Sequence, residues 1–239
     1  MTYSYILITR GQEDAIPLAE NLERLGFRPI VDSLFKIKIK NNISLNLDGV
    51  QALLMTSANG VRAFAQGSSV RNLPTCAVGD ATAQTAKEKG FRSILSAQGN
   101  VSDLFKLVSK SFSPKAGTLL HTTGTRVAGD LGRQLEKYGF TYRREVLYEV
   151  TEKKGFSKRT LKAFAEKKIL YILLYSPRTA ELFQKLARNS GIDKNLGETW
   201  ALCLSEAVAK EISGLSWKKI FVSELPNQQS LLNFLKLTI

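Results

Sequence analysis

The sequence predicts an α/β protein of two similar lobes, each a parallel sheet flanked by helices, joined by a two-stranded connector. Apolar strand segments alternate with amphipathic helical segments along the chain, and such alternation produces parallel sheets. The chain also contains an internal duplication, because the segment Leu34–Ile37 is matched by Leu147–Val150 at a spacing of 113 positions. At 239 residues the chain is long enough for two domains of ordinary size.

A strand–helix–strand unit opens the chain. Tyr5–Ile8 is an apolar run typical of a buried strand, and Asp14 is a candidate N-cap for a helix that Gly26 ends. Arg28 begins a second strand, which we expect to continue to Lys40 because apolar residues alternate with lysine there. We place the first lobe boundary after this strand.

Four strands with following helices occupy the middle of the chain: Val50–Met55, Thr75–Val78, Ser93–Leu95 and Gly117–Leu120. Ser57 and Ser102 are predicted N-caps, and residues 121–126 are predicted to form a loop. A cap at Ser57 would leave backbone N–H groups pointing outward at the end of a strand, as in an anion site. Helix capping alone explains this serine equally well.

The last third of the chain repeats the middle strands. Ile169–Leu174 is followed by Ser176, a predicted N-cap with Pro177 in the first helical turn, and matches the segment around Ser57 at a spacing of 119 positions. Trp200–Leu204, followed by Ser205, matches the segment that begins at Cys76 at a spacing of 124. The basic segment 153–168 has apolar residues at helical spacing, which favours an amphipathic helix with a solvated basic side over a nucleic-acid arm.

Charge and composition restrict the partners. The net charge of +13 favours an anionic partner, whether nucleic acid, a membrane surface or a polyacidic molecule. The sequence lacks an aromatic-basic platform for nucleic acid and an apolar run of the ~20 residues that a membrane span requires. Cys76 and Cys203 lie in separate apolar strands, and His121 has no second ligand nearby in sequence. We therefore expect a cytoplasmic protein without a disulfide or a metal site.

The predicted strands end in similar turns. Their carboxyl ends carry Ser, Thr, Gly or Arg, and the turns begin at Thr9, Thr56, Gly79, Thr122, Ser176 and Ser205. Ligands of parallel α/β sheets bind outside the carboxyl ends of strands. These turns are therefore the candidate binding elements.

Eight short segments spread over the chain carry a resemblance to a known family through their order and spacing. They are Ile6–Arg10, Thr56–Val61, Val78–Ala83, Gly99–Leu104, Gly124–Arg126, Val146–Val150, Tyr175–Arg178 and Leu204–Ala209. In this series the chain resembles the uroporphyrinogen-III synthases over essentially its whole length.

The resemblance implies one lobe of residues 1–36 plus 151–239, an inserted lobe of residues 41–145, and connector strands near 34–40 and 146–150. It implies a lyase of haem biosynthesis that closes hydroxymethylbilane to uroporphyrinogen III, with inversion of the terminal pyrrole ring and loss of water. It implies no metal or organic cofactor, no nucleic-acid or membrane partner, and a cytoplasmic monomer that contacts the enzyme making hydroxymethylbilane only transiently. The alternative is a non-catalytic bilobal anion-binding or regulatory protein on the same fold.

The resemblance also implies site residues. Tyr148 would face the space between the lobes and donate a proton to the leaving hydroxyl, although its repeat mate Phe35 shows that an aromatic residue there can be structural. The implied substrate-binding residues are Thr9, Arg10, Thr56, Ser57, Asn59, Gly60, Gly79, Ala81, Thr82, Gly124, Arg126, Ser176, Pro177, Arg178 and Ser205. The Ser205 turn departs from the pattern, because it lacks the glycine found at Gly79 and carries Glu206, whose charge opposes a carboxylate.

Overall fold

The computed structural model describes residues 5–126, 129–225 and 227–237. The chain divides into two compact units, of which unit 1 comprises Met1–Lys36 with Thr151–Ile239 and unit 2 comprises Ile37–Val150. In chain order the elements are β1 (Tyr5–Ile8), α1 (Gln12–Arg24), β2 (Arg28–Val31), β3 (Phe35–Ile39), β4 (Val50–Met55), α2 (Ala58–Gly67), β5 (Thr75–Ala77), α3 (Asp80–Glu88), β6 (Ile94–Ser96), α4 (Val101–Ser111), β7 (Thr118–Gly124), α5 (Leu131–Lys137), β8 (Thr141–Glu152), α6 (Lys158–Ala165), β9 (Ile169–Leu174), α7 (Pro177–Ser190), β10 (Trp200–Cys203), α8 (Glu206–Ile212), β11 (Lys219–Val222) and α9 (Gln228–Lys236).

Unit 1 contains one parallel sheet with the strand order β11-β10-β9-β1-β2. Both faces of this sheet are covered by apolar clusters. One is built around Leu7, Ile172 and Phe183, and the other around Ile8 and Leu173. Burial on both faces explains why β1 and β9 are continuous apolar runs in the sequence.

Unit 2 contains a sheet with the strand order β3-β8-β7-β4-β5-β6. Strands β4 to β8 pair in parallel. Strand β3 runs antiparallel to β8, because the Lys40 amide donates to the Leu147 carbonyl and the Lys153 amide donates to the Leu34 carbonyl. The prediction of an α/β fold with parallel-dominated sheets is confirmed, with β3 as an antiparallel strand at the edge of unit 2.

The two sheets have the same strand order in two different chain orders. Strands β1, β2, β9, β10 and β11 of unit 1 correspond to β7, β8, β4, β5 and β6 of unit 2, as the sequence spacings indicate. Numbered along the chain, the sheet of unit 1 has the doubly wound order 2-1-3-4-5, and the five parallel strands of unit 2 have the order 3-2-1-4-5. In both sheets the connections reverse direction next to the first strand. This switch point lies between β1 and β9 in unit 1 and between β7 and β4 in unit 2, and it is where such sheets bind ligands.

Two predicted helix caps are confirmed. The Ser57 hydroxyl accepts the Gly60 N–H at 3.0 Å and so caps α2. The Ser176 hydroxyl accepts the Thr179 N–H at 3.2 Å and caps α7, with Pro177 as the first helical residue. Both serines therefore place a helix N-terminus directly after a strand at a switch point.

Two other predicted caps are wrong. Helix α1 begins at Gln12, before Asp14, whose carboxylate lies 3.2 Å from the Arg10 guanidinium. Helix α4 is capped by Asn100 in place of Ser102, because the Asn100 amide oxygen and the Asp103 carboxylate each accept the other residue's backbone N–H in a capping box.

Two strand boundaries also differ from the prediction. The loop predicted for residues 121–126 is wrong in its first part, because β7 continues to Gly124 by pairing with β8. The strand predicted from Arg28 to Lys40 is interrupted between β2 and β3 by Asp32, whose carboxylate is buried. That carboxylate accepts hydrogen bonds from the Lys153 ammonium, the Ser157 amide and the Thr160 hydroxyl. These contacts link the end of β2 to the start of α6.

Among the residues that the structure describes, no helix combines the length and the hydropathy needed to cross a bilayer.

Candidate active site

The switch point of unit 2 lies where β4 and β7 end. Thr56 and Ser57 follow β4, and residues 122–124 form the end of β7. The first turn of α2 packs closely on β7, because a Cβ atom added at Gly60 would lie 2.7 Å from the Thr122 carbonyl oxygen. Gly60 therefore allows the helix N-terminus to approach the strand end, and its own N–H is used by Ser57.

Tyr148 reaches this switch point from β8. Its hydroxyl lies 2.8 Å from the Ser57 hydroxyl, and 7% of the residue is exposed. The phenol ring passes over Gly124, its partner in β7, where an added Cβ would lie only 2.6 Å from the ring. Because Gly124 has no side chain, the phenol can cross β7 and place its oxygen at the N-terminus of α2.

A register shift in β8 sets the direction of Tyr148. Thr123 pairs with Val146 and Gly124 pairs with Tyr148, so Leu147 is an extra residue between them. Leu147 and Tyr148 consequently both pack in the apolar cluster that contains α2, whereas Tyr142 packs on the cluster of the opposite face. A β-bulge of this kind re-aims a side chain, as bulges beside active sites often do.

On the opposite face of the same strands lies a buried polar network. His121 is 0% exposed, with Nε2 2.9 Å from the Thr56 hydroxyl and Nδ1 2.7 Å from the Tyr142 hydroxyl. Burial, followed by the nearby Arg144 charge, lowers the pKa of His121 to about 4, and burial raises the pKa of Tyr142 to about 12. Both groups are therefore uncharged near neutral pH.

Arg144 fixes the end of β7. Its guanidinium donates to the Thr123 hydroxyl at 3.0 Å, to the Gly124 carbonyl at 2.9 Å and to the Thr125 carbonyl at 3.0 Å. Sequence reasoning did not identify Arg144 or Tyr142 as site residues. Their position two residues apart on β8, beside a histidine on the neighbouring strand, is the signal that could have found them.

The remaining predicted site residues of unit 2 lie around this centre or on the next turn. The Asn59 oxygen accepts from Arg62 at 3.2 Å, and Arg126 is exposed after β7. Gly79 is the N-cap of α3, with Ala81 exposed and Thr82 6% exposed in its first turn. These last three follow β5, the strand beside β4. The structure thus brings Tyr148 into direct contact with Ser57 and Gly124, while the Gly79 turn lies one strand further along the sheet.

The switch point of unit 1 holds another group of predicted residues. The Thr9 hydroxyl is buried and donates to the Leu173 carbonyl at 2.9 Å, so it links β1 to β9. The Arg10 guanidinium stacks over the Tyr175 ring at 4.5 Å and donates to Gln228 at 2.9 Å, in addition to its pair with Asp14. Burial raises the pKa of Tyr175 to about 12. Arg10 is thus held in place at the carboxyl end of β1.

Two further predicted turns of unit 1 differ in their geometry. Arg178, in the first turn of α7, stacks over Phe35 at 4.5 Å and lies 3.5 Å from the Glu152 carboxylate. Ser205 occupies the N-cap position of α8 but makes no side-chain capping hydrogen bond, and this helix has only seven residues. The Ser205 turn therefore lacks the side-chain cap that the Ser176 turn has.

Within residues 5–126, 129–225 and 227–237, no three His, Cys, Asp or Glu side chains cluster as metal ligands would. Cys76 and Cys203 are free and buried, and burial raises the pKa of each thiol to about 12. The hydroxyls, backbone amides and guanidinium groups at the switch points suit the binding of anionic oxygens.

Comparisons with known proteins place this geometry in a family. A family profile described as uroporphyrinogen-III synthase HemD matches residues 16–233. Uroporphyrinogen-III synthetase from Helicobacter pylori superposes with a TM-score of 0.66 at 16% identity, covering 99% of this chain and 100% of that one. A mutant uroporphyrinogen III synthase from Thermus thermophilus superposes with a TM-score of 0.57 at 16% identity, covering 98% and 97%. A search of curated protein sequences gives no significant match.

Because both solved structures are only 16% identical to this chain, they support its fold alone. The family profile spans most of the chain, including the switch point of unit 2 and the strand that carries Tyr148, whereas β1, Thr9 and Arg10 precede the matched residues. The chain belongs to the uroporphyrinogen-III synthase family.

Proposed function

We propose that the chain is a lyase that closes hydroxymethylbilane to uroporphyrinogen III, with Tyr148 as the proton donor to the departing hydroxyl group. Membership of the uroporphyrinogen-III synthase family supports the overall activity. The observation that supports the site is the contact between the Tyr148 and Ser57 hydroxyls at the N-terminus of α2. No observation favours a non-catalytic anion-binding protein on this fold.

The phenol is suited to the loss of water. As the C–O bond of the hydroxymethyl group breaks, the phenolic proton of Tyr148 transfers to the leaving oxygen, and water departs in place of hydroxide. The phenolate that remains is stabilised by the Ser57 hydroxyl as donor and by the N-terminus of α2. The azafulvenium cation left on the substrate then reacts with the terminal pyrrole through a spirocyclic intermediate, and the proton lost as the last pyrrole regains aromaticity returns to the phenolate and restores the phenol.

The binding of the substrate is proposed to be electrostatic and distributed. A linear tetrapyrrole with many carboxylates suits a chain of net charge +13. The N-termini of α2, α3 and α7 follow strands at their carboxyl ends, and each such terminus contributes only ~0.3–1 kcal/mol to binding one carboxylate. Many weak contacts would therefore hold the bilane in the curled form that favours ring closure.

The remaining details of the proposal come from the family resemblance. They are a monomeric state, a cytoplasmic location, and a transient contact with the enzyme that makes hydroxymethylbilane. No metal or organic cofactor takes part in the proposed steps, since the proton donor and the anion-binding groups all belong to the chain.

The product isomer tests the proposed function. Hydroxymethylbilane is supplied to the purified chain, and the oxidised products are separated by chromatography. The proposal predicts the type III isomer in excess over the type I isomer that forms without catalysis. Formation of type I alone, at the rate seen without protein, would contradict it.

A further inference from the structure

A buried hydrogen-bond network ends at Thr56, the residue directly before Ser57. The Thr56 hydroxyl lies 2.9 Å from His121 Nε2, and the Tyr142 hydroxyl lies 2.7 Å from His121 Nδ1. His121 is 0% exposed, whereas Thr56 is partly exposed at the end of β4. The network therefore connects an inaccessible ring to a hydroxyl at the switch point of unit 2.

The two partners of His121 decide which of its nitrogen atoms carries the proton. A neutral imidazole has one N–H donor and one acceptor nitrogen. A phenol donates a hydrogen bond more strongly than it accepts one, because its oxygen lone pair is delocalised into the ring. Tyr142 is accordingly expected to donate to Nδ1, which leaves the proton on Nε2, facing Thr56.

This arrangement determines the role of the Thr56 hydroxyl. If Nε2–H donates to the Thr56 oxygen, the hydroxyl proton of Thr56 is free to donate to another group. In the opposite tautomer the Thr56 hydroxyl would donate its proton to Nε2 and present only lone pairs to the site, and these repel an anionic oxygen. The first arrangement suits a carboxylate ligand, and the second does not.

We infer that His121 is a positioning residue that keeps the Thr56 hydroxyl available as a hydrogen-bond donor to a carboxylate of the substrate. This inference rests on the proposed function for the identity of the substrate. It assigns to His121 and Tyr142 a part in specificity, on the face of the sheet opposite to Tyr148. Arg144 is the charged group beside this ring, and its guanidinium donates hydrogen bonds to the Thr123 hydroxyl and the Gly124 carbonyl at the end of β7.

The tautomer can be measured without substrate. The sequence contains a single histidine, so a sample labelled with ¹⁵N in histidine gives the ring signals of His121 alone. At neutral pH the inference predicts a protonated Nε2 and an unprotonated Nδ1. Tyr142→Phe removes the group that selects this tautomer and is expected to shift the ring towards the other form, whereas Tyr138→Phe, on an exposed ring, leaves it unchanged.

The kinetic test uses Thr56. Thr56→Val keeps the shape and removes the hydroxyl, so KM for hydroxymethylbilane should rise about tenfold, the value of one ordinary hydrogen bond, while kcat stays within about twofold. Thr56→Ser retains the hydroxyl and should restore the KM. Thr199→Val is the matched control, because it removes a buried threonine hydroxyl that donates to the Ile169 carbonyl in unit 1 and should leave KM unchanged.

The outcomes separate the inference from the proposed function. An Nδ1-protonated ring in the free protein, or a wild-type KM in active Thr56→Val, would overturn the inference alone. A wild-type chain that forms no type III product would overturn the proposed function and, with it, the assignment of the substrate. A protonated Nε2 together with a raised KM in Thr56→Val and a restored KM in Thr56→Ser would support the inference.

Discussion

Replacing Tyr148 by phenylalanine removes one oxygen atom from unit 2 and leaves the ring that packs over Gly124. The Ser57 hydroxyl loses one partner but still accepts the Gly60 N–H, so the free energy of unfolding should fall by only ~0.5–1.5 kcal/mol. The loss of a positioned proton donor usually costs ~10²–10⁴-fold in rate. We expect the lower end, about 100-fold in kcat, because the pyrrole already activates the leaving group.

The assay measures type III formation at saturating hydroxymethylbilane, with the type I background subtracted. Circular dichroism and urea unfolding establish that the variant is folded. Tyr138→Phe is the matched control, since that ring is 62% exposed and should give wild-type kcat. A folded Tyr148→Phe variant with wild-type turnover at every pH and substrate concentration would remove the phenol from the mechanism.

Three further predictions concern packing, buried charge and substrate binding. Gly124→Ala places a methyl group against the Tyr148 ring, so it should lower the free energy of unfolding by ~1–3 kcal/mol and reduce kcat. Gly155→Ala is the control, because no atom lies within 4 Å of the new Cβ, and it should change neither quantity. Burial alone would raise the pKa of Asp32, but hydrogen bonds from Lys153, Thr160 and Ser157 hold that pKa below 3.8. The carboxylate therefore stabilises the fold above pH 3.8, and this contribution is lost as the pH falls through the folded-state pKa. Asp32→Asn should therefore lower stability by ~2 kcal/mol at neutral pH and reduce the loss of stability in acid, as measured by urea unfolding across pH, and an unchanged acid profile would refute this. Raising the salt concentration shortens the Debye length below its physiological value of ~8 Å and should raise KM for hydroxymethylbilane several-fold, so a KM independent of salt would count against distributed electrostatic binding.

The fold class could be predicted because its signals are local and repeated. Apolar runs such as Ile169–Leu174 identify strands that are covered on both faces, and Gly26 and Gly139 end helices with positive φ angles of 86° and 84°. The spacing of 113 positions pairs β1 with β7 and β2 with β8, which is the pairing that the two sheet orders share. The caps at Ser57 and Ser176 could also be predicted, since each serine follows the end of an apolar strand by two positions.

The geometry of the site could not be read in the same way. Strict alternation along β8 would put Tyr148 on the same face as Tyr142, and only the bulge at Leu147 separates them. The contact of Tyr148 with Ser57 joins residues 91 positions apart, and it depends on the absence of a side chain at Gly124. The hydrogen-bond partners of His121 could not be predicted, because their identity depends on the register of three neighbouring strands.

The claim that the chain catalyses ring closure with inversion is tested most directly by the ratio of type III to type I product. Uncatalysed closure to type I competes with the enzyme for the same hydroxymethylbilane, so its rate is an internal reference for the rate of the catalysed reaction. The account predicts that the ratio rises in proportion to the concentration of the wild-type chain and much less steeply for Tyr148→Phe. A ratio that does not change with the concentration of the wild-type chain would contradict it.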